Sequence, residues 1–189
     1  MKSSILLLLS LFALAACKKE AVVTPSPAPL KYANVANIQK DTLPDMAALK
    51  VKMVMVNDTT NYDETMFLFQ KSASLAYDPD ADAQYFAGFG QESLASISSD
   101  GIYLAINRLP YTRGMVIGLV ANATSDNAFY LQVSYKNKIP ANFQVWVKDA
   151  YTNDSTNVCT AGKYNFKVLK TDTNSFGSKR FKLVLKNSN

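Results

Sequence analysis

Leu49-Lys50-Val51-Lys52-Met53-Val54-Met55-Val56, closed by the turn-forming run Asn57-Asp58-Thr59-Thr60-Asn61 and followed by Glu64-Thr65-Met66-Phe67-Leu68-Phe69-Gln70, decides the fold. In the first segment Leu49, Val51, Met53 and Met55 alternate with Lys50, Lys52, Val54 and Val56. Successive side chains of a strand point to opposite faces, so this period of two sets an apolar face against one carrying two lysines. In the second segment Thr65, Phe67 and Phe69 share one face, and Met66 and Leu68 make the other face apolar as well. That predicts a central strand.

The same period continues downstream. Ser98-Ser99-Asp100-Gly101 turns into Ile102, Leu104 and Ile106, alternating with Tyr103, Ala105 and Asn107. A strand from Gly114 to Ala121 meets the turn Ser125-Asp126-Asn127, and Phe129, Leu131, Val133 and Tyr135 alternate beyond it. Val145 and Val147 follow, then Tyr164, Phe166 and Val168, and last Phe181, Leu183 and Leu185. No amphipathic helix pattern competes with them. Eight or nine short strands separated by turn chemistry predict an all-β fold, a two-sheet antiparallel β-sandwich of jelly-roll or immunoglobulin-like type, over residues 46–189. A membrane-spanning barrel fits less well, because its interior sets are polar and these are apolar.

Upstream of the tether the sequence reads as a secretory signal. Lys2 is the positive start, Ile5 to Ala16 form an apolar run broken only by Ser10, and small residues close it. The run falls short of the roughly 20 residues a membrane span needs. Leu14-Ala15-Ala16-Cys17 resembles the bacterial lipobox. The resemblance implies a lipoprotein signal peptide over residues 1–16, cleavage before Cys17, and acylation of the cysteine sulfur and its freed amine. Stable anchoring takes more than one acyl chain, at about 0.8 kcal/mol per buried methylene, and a multiply acylated cysteine meets that requirement. Lys18 stands where enteric inner-membrane retention signals carry Asp, so the expected location is the outer membrane, with the leaflet left open. Residues 17–45 then form the acylated cysteine and a tether, in which Thr24-Pro25-Ser26-Pro27-Ala28-Pro29 favours extended polyproline-like backbone.

Composition removes several function classes. The 189 residues contain no histidine, which excludes Ser-His-Asp and Cys-His nucleophile systems and every histidine-bearing zinc site. Cys17 and Cys159 are the only cysteines. With Cys17 acylated no intrachain disulfide forms, and Cys159 reads as a small core residue. Gly88-Phe89-Gly90-Gln91-Glu92-Ser93 only half resembles a dinucleotide fingerprint, and no helix pattern follows it. Asp63 and Glu64 are adjacent on a strand and point to opposite faces, so they do not pair for catalysis. A glycosidase needs a second acid about 5–10 Å away across a cleft. The expectation is a non-enzymatic protein.

Seven landmarks in order resemble a β-sandwich domain of large Bacteroidetes surface proteins, where it often precedes a type IX secretion sorting domain. They are Lys52 to Phe69; the acidic segment Ala76-Tyr77-Asp78-Pro79-Asp80-Ala81-Asp82-Ala83; Leu104-Ala105-Ile106-Asn107-Arg108-Leu109-Pro110; Ile117-Gly118-Leu119; Phe143-Gln144-Val145-Trp146-Val147-Lys148-Asp149; Lys163-Tyr164-Asn165-Phe166; and Arg180-Phe181-Lys182-Leu183. The resemblance spans residues 49–186 and implies the fold more than an activity, since sandwiches host many functions. No sorting domain follows these landmarks here and a lipobox precedes them, so the expectation is a lipid anchor in place of type IX export.

Four groups of residues are candidates for function. Asp78, Asp80 and Asp82 alternate as in half of a calcium loop, yet Ala83 and Phe89 stand where such a loop carries Gly and its closing Glu. A calcium site and a solvated turn are both open readings. Trp146, with Tyr130, Tyr103 and Tyr151, is a candidate platform for a sugar ring, or else packs under a loop. Lys163, Lys167, Lys182 and Lys186 make either a basic face or guards on an edge strand. Asp41-Thr42-Leu43, Asp58-Thr59-Thr60 and Asp154-Ser155-Thr156 resemble short O-glycosylation acceptors of Bacteroidetes. The expected partners are the membrane, through the anchor, and either an envelope or surface protein or a polysaccharide. Nucleic acid is not expected, because no aromatic-basic recognition motif is present.

Overall fold

The structure, a computed structural model, describes residues 43–187. The signal, Cys17 and the tether up to residue 42 lie outside the described residues. The described chain is all-β. Its strands are β1 (Ala47–Met55), β2 (Tyr62–Phe69), β3 (Ala83–Gln84), β4 (Glu92–Ile97), β5 (Tyr103–Leu109), β6 (Val116–Ala123), β7 (Asn127–Asn137), β8 (Phe143–Asp149), β9 (Asp154–Asn157), β10 (Tyr164–Val168) and β11 (Gly177–Asn187). One helical turn, α1 (Val158–Ala161), is capped by the Asn157 side chain. Among the described residues no helix is long and apolar enough to cross a membrane.

The period-two pattern formed strands wherever it was strong, but their number and arrangement differ from two sheets of eight or nine strands in all. Eleven strands join one hydrogen-bonded sheet in the order β10-β7-β1-β2-β5-β4-β6-β11-β8-β9, with β3 paired to β5. The additions are β3, β4 and β9. Serine and alanine dilute the alternation in Glu92-Ser93-Leu94-Ala95-Ser96-Ile97, and Asp154-Ser155-Thr156-Asn157 has the composition of a turn. The sheet curls until it is nearly a barrel. The rings of Phe166 on β10 and Phe181 on β11 meet at 4.7 Å, although six strands separate those two along the sheet.

β5 explains why the sheet is continuous. Its first residues pair antiparallel with Ser96 and Ile97 of β4, and its last ones run parallel to β2 from Met66 to Phe69. Where the partner changes, the Leu104 carbonyl is met by side chains. The hydroxyls of Thr65 and Ser96 both donate to it, each at 3.1 Å, and the Asn107 amide donates to Ser96 at 3.3 Å. All three side chains are buried, so these bonds meet a requirement that water does not.

The core lies inside the curl. Phe67, Phe69, Phe129, Phe143 and Phe181 are each less than 2 % exposed, and complete burial of one such ring stabilises by about 1.5–3 kcal/mol. Gly118 on β6 is required by close approach, because a Cβ there would stand 3.0 Å from the Ile97 side chain. Cys159 is half-buried and packs against the core. Lys163, Lys167, Lys182 and Lys186 all face solvent. Lys167 lies on the end strand β10 and Lys163 directly precedes it, whereas β11 is flanked by β6 and β8; the edge-guard reading therefore does not extend to Lys182 and Lys186.

Candidate functional site

One candidate site grows from an irregularity in β11. Gly177 has φ of +90°, a left-handed conformation that favours glycine. Pairing with β6 then jumps from Gly177↔Ala121 to Phe181↔Leu119, so β11 carries extra residues against its neighbour. Such a bulge re-aims side chains. Arg180 is turned inward and left 3 % exposed, while Ser178 and Lys179 face solvent.

Inside, Arg180 is fully engaged with the chain. Its Nε and Nη2 donate to the Asp149 carboxylate at 2.8–3.1 Å, and Nη1 donates to the carbonyls of Lys167 and Ser175. Asp149 also accepts the Tyr164 hydroxyl at 3.0 Å and the Tyr151 backbone N–H at 2.9 Å. Burial pushes the Asp149 carboxyl up, but hydrogen bonds from Arg180 and Tyr151, and the Arg180 charge, outweigh it and hold it below the usual carboxylate range. With its charge matched by Asp149, four of its five N–H groups engaged and only 3 % of it exposed, Arg180 serves the fold before any ligand.

Beside this network is a surface cleft of about 570 Å³. Tyr151 lines it and is held at three points. Its N–H is bonded to Asp149, its hydroxyl donates to Asp172 at 2.9 Å, and its ring lies 4.8 Å from the Arg180 guanidinium carbon. The bond to Asp172 raises the Tyr151 hydroxyl above its ordinary pKa. Asn122, Thr173, Asn174, Ser178 and Lys179 also line the cleft.

The second candidate lies at the loop from Tyr85 to Gln91. Phe86 is 82 % exposed, and Phe89 is fully exposed. Beneath the loop the Tyr85 hydroxyl donates to Asp63 at 2.6 Å, and the N–H groups of Leu94 and Glu64 donate to the same carboxylate at 2.8 Å. Glu92 is only 6 % exposed, yet its Oε2 has no hydrogen-bond partner among the described residues. Burial first, then the Asp63 charge, raises its pKa. Burial and the bond to Asp63 raise that of Tyr85.

The proposed platform residues are spread over the sheet. Trp146 is half-buried on β8, with its indole N–H donating to Gln144 at 2.9 Å and Lys186 5.0 Å from its ring centroid. It points away from the buried Val145 and Val147. Tyr130 lies on β7 beneath Lys163, and Tyr103 opens β5, exposed beside Tyr85 and Ile102. Among the described residues no ring pair joins any two of Trp146, Tyr130, Tyr103 and Tyr151. The acidic segment is engaged with backbone amides. Asp78 accepts the Asp80 N–H at 3.0 Å, and Asp82 accepts those of Asp78 and Arg108 at 2.9 and 2.7 Å. Among the described residues no three acidic or thiol side chains gather as a metal site would require. Asp58 closes its turn by accepting from Thr60 and Asn61, leaving Thr59 exposed; Ser155 is exposed on β9; Asp41 and Cys17 lie outside the described residues.

Phe86, Phe89, Glu92 and the bulge were not singled out as functional from sequence. Phe86-Ala87-Gly88-Phe89-Gly90 did carry a signal, two aromatics among small residues without strand period. The residues behind the family resemblance, by contrast, prove to hold the fold. Tyr164 and Arg180 both donate to Asp149, Asn107 and Gly118 serve the β5 crossing and the β4–β6 contact, and Asp82 ties its loop to Arg108. Comparison with known proteins found no matching family model, curated protein or solved structure.

Proposed function

We propose that this chain is a non-enzymatic outer-membrane lipoprotein, anchored through Cys17, whose β-domain docks to an envelope or surface protein through Phe86 and Phe89. The observation that carries the reading is the exposure of two phenylalanines three residues apart on a loop whose neighbours are small or polar. Exposed apolar clusters of this kind mark interaction sites. On this reading the single curled sheet is a variant of the sandwich type that the sequence landmarks resemble, with β10-β7-β1-β2 and β4-β6-β11-β8-β9 as its two layers; the hydrogen-bonded path through β5 is what would join them.

Position favours a protein partner over the bilayer. Leu43 packs beside Phe69, Gln70 and Lys71, at the end of β2, whereas Tyr85 and Leu94 meet Asp63 at its start. An eight-residue strand is about 25 Å long. The aromatic loop therefore lies at the other end of β2 from the point where the chain leaves toward Cys17.

A photo-crosslinking residue placed at position 87 in cells tests the reading. The expected result is one discrete protein adduct, lost in Phe86→Ser/Phe89→Ser. Adducts to lipid alone, or an adduct unchanged by the double substitution, would refute protein docking. Cys17→Ser should release the protein from the membrane fraction without unfolding it, and protease treatment of intact cells reports which leaflet the domain faces.

A further inference from the structure

We propose that the cleft beside Tyr151 is a second, separate binding site, and that it takes a saccharide. Its floor is an aromatic ring fixed in place before any ligand arrives. The bonds from its N–H and hydroxyl, and the Arg180 guanidinium against the ring, leave Tyr151 little freedom to lose on binding, although it is 42 % exposed. Preorganised surface binds better than mobile surface of equal area. A tyrosine face offers broad apolar contact suited to the C–H face of a pyranose.

The walls supply the other half of sugar recognition. Asn122, Thr173, Asn174, Ser178 and Lys179 make no side-chain hydrogen bond or ion pair among the described residues. Two amides, two hydroxyls and one ammonium surround the ring with unused donors and acceptors. An apolar ligand would leave these groups unsatisfied, which costs affinity. Among the described residues a phosphate would find one unmatched cation lining the cleft, Lys179, because the Arg180 charge is matched by Asp149. A polyhydroxylated ring with apolar faces fits this lining, and the cleft volume falls within the roughly 300–1,000 Å³ of small-molecule sites. The bulge that buries Arg180 also sets Ser178 and Lys179 on the cleft side, so one backbone feature makes both the anchor of the ring and part of the wall.

Affinity electrophoresis of the detergent-solubilised full chain tests this, with a neutral β-glucan, a mannan, a xylan and polygalacturonate as the four probes. At least one should retard the wild type. Tyr151→Ala should weaken that binding about tenfold, the scale of one lost ring contact. Tyr151→Phe should keep most of it. If Tyr151→Ala is poorly folded, Asn122→Ala/Asn174→Ala, which removes no internal bond, should still weaken binding about fivefold. Lys179→Ala should matter chiefly for polygalacturonate. Phe86→Ser/Phe89→Ser should bind saccharide as the wild type does, which separates this site from the docking loop. The proposal is overturned if all four polymers pass without retardation, if the folded cleft variants bind as the wild type does, or if only a peptide proves to bind in a Tyr151-dependent way.

Discussion

Arg180 and Glu92 both stand on strands, and both are nearly out of contact with water, at 3 % and 6 % exposure. Their surroundings differ completely. Around Arg180 the chain has assembled a carboxylate and two carbonyls, with a tyrosine hydroxyl completing the carboxylate shell. Around Glu92 it has placed a second carboxylate, and one carboxyl oxygen is left without a partner among the described residues. A buried charge without compensation opposes folding. Where such a rule is broken, function is the usual reason, and the broken rule here lies under the loop that exposes Phe86 and Phe89. The two clusters lie on strands that flank β6 near the same end of it, so the contrast is between surroundings and not positions: one cluster stabilises the fold and the other tolerates a cost.

The largest effect should come from breaking the satisfied cluster. Arg180→Ala leaves Asp149 buried and uncompensated, and should cost about 3–5 kcal/mol in chemical denaturation. Tyr164→Phe removes one donor from the same carboxylate and should cost about 1.5 kcal/mol. The two clusters should also answer pH with opposite signs. Asp149 is depressed in the folded state, so its stabilisation is present above the unfolded carboxyl value of about 3.9 and is lost as pH falls through the lower folded value. Glu92 is raised, so its folded state is favoured while protonated and loses that advantage as pH rises through the folded value. Glu92→Gln should therefore raise stability at pH 7 and have little effect below the unfolded carboxyl range, as denaturation at the two pH values would report. A neutral-pH loss on Glu92→Gln would mean that the carboxylate has a stabilising partner. The smallest effect on folding should come from the exposed loop, with Phe86→Ser/Phe89→Ser within about 0.5 kcal/mol of wild type.

The strands were legible where β-branched and aromatic residues kept a strict period, as in Leu49 to Phe69 and Phe181 to Leu185. They were not legible where burial falls on Ser96 and Ala95, because these small residues give the alternation little contrast. The single continuous sheet was hidden for a different reason. It depends on β5 changing partners, and Thr65, Ser96 and Asn107 come from three strands, so no local window contains them. Tyr151 was legible as an aromatic outside a strand. The cleft beside it was not, because it follows from a bulge whose one sequence trace is Gly177-Ser178, an ordinary turn pair. The Asp78, Asp80 and Asp82 spacing was visible, but only the fold shows these carboxylates accepting backbone amides.

The division between a stabilising cluster and a docking loop is tested most directly by measuring two properties of one variant, Phe86→Ser/Phe89→Ser, side by side with wild type. Thermal unfolding of the purified protein gives the first, and the yield of the position-87 crosslink in cells gives the second. The predicted result is an unchanged melting temperature with the crosslink abolished. A crosslink of wild-type yield, or a melting temperature that falls along with it, would contradict the account.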